Sequence, residues 1–175
     1  MTPEFSRPQR IDTIGTAPRS IAVEADEQER AALAMRFGLI GIEALSARFD
    51  LWRDSAGIVA RGEVTASVTQ ACIATGAPLP AAIDAPALIR FVPEDSLDGM
   101  ADDEIELSED DCDVVGYSGS AVDLGEAAAE TMALALDPYP RSPDADAVLR
   151  AAGVKSEAEA GPFAALAALK AKAGE

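Results

Sequence analysis

Histidine is absent from this 175-residue chain, and cysteine occurs only at Cys72 and Cys112. Without an imidazole there is no Ser-His-Asp or Cys-His relay, no histidine pair for zinc and no side chain whose ordinary titration falls near neutrality. Most hydrolase chemistry is thereby excluded. Two cysteines forty positions apart make no disulfide framework, so both read as free thiols. Aromatic residues are only 5% of the chain, and Trp52 and Tyr117 stand too far apart to form a base-stacking platform. Unbroken apolar stretches are short, well below the roughly 20 residues that cross a bilayer. Met1 to Arg10 shows no basic region leading into an apolar segment. The expected location is the cytoplasm.

The scarcest commodity is positive charge, and it is scarce in one place. The chain carries 14 Lys plus Arg against 31 Asp plus Glu, a formal charge of -17. Met1 to Arg90 and Arg141 to Glu175 are nearly balanced, whereas Phe91 to Pro140 holds fifteen acids and no base. Such a surface repels a phosphate backbone. The densest part, Asp102, Asp103, Glu104, Glu106, Glu109, Asp110, Asp111 and Asp113, does not follow the EF-hand spacing of alternate acids, central glycine and distant glutamate. It reads instead as a solvated acidic loop over residues 93–113. These eight carboxylates are the expected partner-binding residues, since fixed negative charge accelerates encounter with a very basic partner and discourages wrong ones.

What is present is an ordinary globular mixture, 49% hydrophobic and 26% charged, in a chain long enough for a true core. Arg10 to Ile14 and Ser20 to Glu24 predict two short strands around a turn at Gly15 and Pro18. Asp26 with Glu29 is a capping box, and Leu33, Ala34 and Phe37 recur at helical spacing until Gly38, which predicts a helix over 27–37. Along Ile58 to Ile73 the even positions Ile58, Ala60, Val64, Ala66, Val68 and Cys72 alternate with Arg61, Glu63, Thr65, Ser67 and Thr69, the period of a half-buried strand. Ile42 to Trp52 alternates less cleanly, and Asp54 to Gly57 closes a long antiparallel hairpin. Ile83 to Val92 predicts a third strand, interrupted near Pro86 and placed at an edge. Ile105 and Leu107 suggest a brief strand, and Val114 to Tyr117 another.

Asp123 with Glu126 predicts a second capping box opening an apolar, largely buried helix from Leu124 to Leu136. Ser142 and Pro143 predict a shorter helix ending at Gly153, and Pro162 opens a last one over Phe163 to Ala173. The expectation is an α+β domain over 1–155 on a mostly antiparallel sheet able to close in a barrel-like way, with one helix in its N-terminal half, a C-terminal helical segment, and a helical appendage over 156–175. Cys72, on the apolar face of its strand, reads as a buried core thiol. Cys112, between Asp111 and Asp113, has its thiolate disfavoured. No residue reads as catalytic, as a metal ligand or as a cofactor contact.

Ala121 to Arg141, AVDLGEAAAETMALALDPYPR, together with the strand end Gln70-Ala71-Cys72-Ile73, resembles the YceD family, the large ribosomal RNA subunit accumulation proteins, in its alphaproteobacterial form. The likeness extends from Phe5-Ser6-Arg7-Pro8 through Glu109 to Val115 and on to Gly161 to Leu166. Many members carry paired cysteines at the end of the central strand and further cysteines after the Asp-Leu helix. Here Cys72 is followed by Ile73-Ala74-Thr75-Gly76 and Pro140 to Val154 has no cysteine, a departure that argues against a metal. The resemblance implies a cytoplasmic, non-enzymatic role in large-subunit ribosomal RNA synthesis, processing or stability. The expected partner is a basic ribosomal protein or a pre-ribosomal particle. One alternative is direct RNA binding through Arg7, Arg10, Arg19, Arg48, Arg53 and Arg61 on a sheet face, and another is a metal-binding protein.

Overall fold

The computed structural model describes residues 3–97 and 113–154. Acids 102–111, Cys112, the strand expected at Ile105 and Leu107 and the helical appendage expected over 156–175 lie outside them. The chain divides into two compact units, Met1–Gln70 with Pro80–Pro138, and Ala71–Leu79 with Tyr139–Glu175.

The first unit is built on the hairpin of β3 (Gly41–Arg53) and β4 (Ile58–Ala71). Asp54 closes it by accepting from the Ala56 and Gly57 amides. The register explains the imperfect alternation of β3. Ile42 faces Val68 but Ala44 faces Ser67, so Glu43 is an extra residue. This bulge moves burial from the even position Ile42 to the odd positions Leu45, Ala47, Phe49 and Leu51. On β4 the even positions are buried, as the sequence predicts.

β2 (Arg19–Glu24) adds to the free side of β3, antiparallel. β5 (Pro78–Pro93) follows β4 in the sheet, and β6 (Asp113–Tyr117) runs parallel to its end, giving the order β2-β3-β4-β5-β6. The sheet is open, with β2 and β6 at opposite edges, and does not close into a barrel. β5 is continuous through Pro86. β6 covers only Ile89 to Pro93, so around Pro86 that side of β5 has no partner strand among the described residues, where a residue without an N–H is tolerated.

The expected strand at Arg10–Ile14 is replaced by a shorter β1 (Pro8–Arg10) and a 3-10 turn over Ile11–Thr13. Arg10 reaches forward to Asp12, and the Ile11 amide donates to Ser120 O. β1 pairs not with β2 but with β7 (Ala121–Asp123), in a separate two-stranded ribbon.

Helix α1 (Glu27–Phe37) has the predicted bounds, its capping box complete and Gly38 in the left-handed conformation at φ 66°. A four-residue turn, α2 (Glu94–Leu97), follows β5, and α3 (Leu124–Leu134) follows β7. α1 packs on β3, and α3 against β1, β2 and β3. Leu33 of α1 and Leu124, Ala128 and Met132 of α3 are fully enclosed with Phe5 and the inner face of the hairpin. Burial of these side chains is the main stabilising term, at about 1.5–3 kcal/mol for each large one.

In the second unit, α4 (Ala145–Ala151) starts two residues later than the expected Pro143. Ser142 faces inward rather than capping, with its amide on the Cys72 sulfur and its carbonyl accepting from Ala145. No described helix is long and apolar enough to cross a membrane.

Candidate functional site

The start of α3 is a clasp. Asp123 accepts from the Gly125 and Glu126 amides at 2.9 and 3.2 Å, as an N-cap should. The same carboxylate takes the Arg7 amide at 2.7 Å and the Ser6 hydroxyl, which fastens the segment Phe5–Arg7 over the helix. Close approach here requires Gly125, since a Cβ would lie 2.5 Å from Phe5 O. Glu126 does not complete a capping box. Its carboxylate turns to Arg36 of α1, at 2.6 and 3.0 Å, and Arg36 also holds Glu4 at 3.0 Å. These hydrogen bonds, Glu126 first, raise the Arg36 pKa further above its ordinary value. Arg7 is fixed in the same way, bidentate to Glu29 at 2.7 and 2.8 Å.

Beside the clasp lies a cleft of about 410 Å³ between the end of β5, β6 and α3. Phe91, Val115, Val122 and Ala127 give it apolar walls, Tyr117 lies at one side, and Glu94, Asp123, Glu126 and Glu130 supply its charge. No basic residue is among the described lining residues. Glu130 is exposed as a residue, yet partial desolvation of its carboxyl pushes it above the usual range, and the neighbouring Glu126 adds to the shift. A hollow with apolar walls and more carboxylates than bases around it favours a cation carried on an aliphatic stem and disfavours phosphate.

Of the eight acids expected to bind a partner, Asp113 is described: it is the exposed first residue of β6, opposite Ile89. Asp102, Asp103, Glu104, Glu106, Glu109, Asp110 and Asp111 lie outside the described residues. The sequence reading missed Glu94 and Glu130. Glu130 had a signal, since it stands one helical turn after Glu126 on an otherwise apolar helix, which places both on one face.

The six arginines of the RNA-binding alternative do not gather on a sheet face. Arg48 sits directly across from Glu63 and Arg61 across from Asp50, two opposite-charge pairs between β3 and β4. Arg7 and Arg10 are bound to Glu29 and Asp12. Arg19 reaches Gln9, and Arg53 donates to Ile11 O. Farther along the face, a hydrogen bond with Asp84 pushes the Glu63 carboxyl up.

Cys72 is buried, as expected, but belongs to the second unit and is not among the residues of the main hydrophobic cluster. The Ser142 amide donates to its sulfur at 3.3 Å, and the Ser142 hydroxyl lies 3.6 Å away. Donation by Thr75, then by Ser142, lowers its pKa to about 6 despite burial. The thiolate character of this residue was not legible from its place on an apolar face. Among the described residues no three His, Cys, Asp or Glu side chains are grouped to hold a metal.

A family model described as Large ribosomal RNA subunit accumulation protein YceD matches residues 60–170. No curated protein and no solved structure matches the chain.

Proposed function

Because the chain belongs to the YceD family, the large ribosomal RNA subunit accumulation proteins, we infer that it supports large-subunit ribosomal RNA by acting as a non-enzymatic receptor for a basic ribosomal protein. The observation that carries this reading is the cleft beside β6, lined by four carboxylates and by no described base, on the strand that the acidic run 102–113 leads into. A ribosomal protein is a polycation before it meets RNA, and an anionic receptor attracts it over a Debye length and competes with premature phosphate contacts. Arg48 and Arg61 of the sheet stand opposite acids rather than gathered into a basic patch, which fits a reading in which the positive charge belongs to the partner.

The test is calorimetric titration of purified large-subunit ribosomal proteins into the full chain at several salt concentrations. Replacing Asp102 to Asp111 acids by Asn and Gln weakens capture and flattens its salt dependence. Unchanged affinity in that variant overturns the reading.

A further inference from the structure

The carboxylates of the β6–α3 cleft are not equivalent. Asp123 is engaged by three amides and the Ser6 hydroxyl, and Glu126 by Arg36. Glu94 has no ion pair among the described residues, and Glu130 faces Glu126 while the guanidinium acting on it, Arg36, is already held by Glu4 and Glu126. The hollow thus offers Glu94, which has no ion pair among the described residues, and Glu130, which shares a hydrogen bond with Glu126, beside an apolar lining of Phe91, Val115, Val122 and Ala127. Two carboxylates are fewer than the oxygen ligands a calcium ion takes, and the lining repels phosphate. A volume of about 410 Å³ lies at the small end of ligand sites and suits one side chain rather than a folded surface.

We propose that this cleft is the socket for a single arginine or lysine side chain of a basic polypeptide partner, with its aliphatic stem on Phe91, Val115 and Ala127 and its cationic head at Glu94 and Glu130. This rests on the reading of the protein as a receptor for a basic partner and adds where a side chain seats. The acidic run attracts at long range, and the socket discriminates at contact: a cation without a stem gains nothing from the apolar walls, and an apolar side chain leaves the two acids unmatched.

The experiment is an NMR titration of the full chain with Nα-acetyl-argininamide at constant ionic strength, against sodium chloride alone. Shifts concentrate at Val115 to Tyr117 and Ala127 to Glu130, and Glu94→Gln combined with Glu130→Gln weakens binding about tenfold, the loss expected for a charge-assisted hydrogen bond. Glu94→Gln alone, at an exposed position, gives part of that loss with the fold untouched, and Glu43→Gln on β3 gives none. Shifts spread evenly over the acidic surface, or full affinity in the double variant, overturn the proposal. Ribosomal protein captured by a chain whose cleft ignores argininamide overturns the socket and leaves the receptor reading standing. Argininamide seated in the cleft of a chain that captures no ribosomal protein supports the socket and overturns the receptor reading.

Discussion

Arg36 and Glu126, ninety residues apart in sequence, meet through two hydrogen bonds of 2.6 and 3.0 Å that join α1 to α3. Glu126 therefore serves the tertiary structure, and the acid next to it on the helix face, Glu130, is left in a repulsive field. The contact that stabilises the clasp thus also shapes the charge of the cleft.

Replacing Arg36 by Met removes the guanidinium, which lies 5.0 Å over the Phe37 ring, and leaves Glu4 and Glu126 without their partner. The loss is about 1–3 kcal/mol in urea unfolding, because each group is only about a third exposed or less. Arg10→Ala, whose pair with Asp12 is 71% and 58% exposed, leaves the urea midpoint unchanged, because solvent screens an exposed pair.

Glu130→Gln stabilises at neutral pH. A carboxyl raised in the folded state binds its proton more tightly there than in the unfolded chain, so ionising it costs stability as pH rises through the folded value. The gain from the substitution is present at pH 7 and vanishes below the ordinary glutamate value of about 4.3. Glu29 and Asp54 act in the opposite sense: Arg7 and Arg90 lower their pKa values, so their contributions are present above the ordinary carboxylate range and fade as pH falls through the folded values. Urea midpoints from pH 3 to 8 separate the two signs.

Gly125→Ala destabilises although alanine is the better helix former by about 1 kcal/mol. The new methyl meets Phe5 O at 2.5 Å and pushes the N-terminal segment off Asp123, for a net loss of about 1–3 kcal/mol. Faster proteolysis near Arg7 accompanies the lower urea midpoint.

Thiolate absorbance near 240 nm, followed in a Cys112→Ser background, titrates Cys72 at about 6. Thr75→Val, which removes the largest hydrogen-bond contribution, moves the midpoint toward the ordinary cysteine value of about 8.5. Because the folded value is the lower one, stability in the wild type rises as pH increases from 6 to 8.5. A midpoint already at the ordinary value would contradict the geometry at Ser142.

Local signals were readable where physics is local. The bounds of α1 followed from Asp26, Glu29 and Gly38 because a cap and a left-handed terminus are encoded within a few residues. The long hairpin followed from alternation, and the break in β3 became intelligible once Glu43 proved to be a bulge. Partners distant in sequence were not readable. Pro8 pairs with Asp123 and β6 runs parallel to β5, choices made by tertiary packing that no window of ten residues contains. The second capping box failed for the same reason: the pattern at Asp123 and Glu126 was present, but Arg36 competed for the glutamate. Ser142 carried a cap signature and instead turned to Cys72.

Phe5 is wholly enclosed, and the segment that carries it is fastened by Asp123, 117 positions beyond Ser6. During vectorial synthesis the aromatic ring leaves the ribosome long before its fastening residue does. Until α3 emerges, the Phe5 segment lacks the carboxylate that fastens it, so this seam closes only after residue 123 has been made.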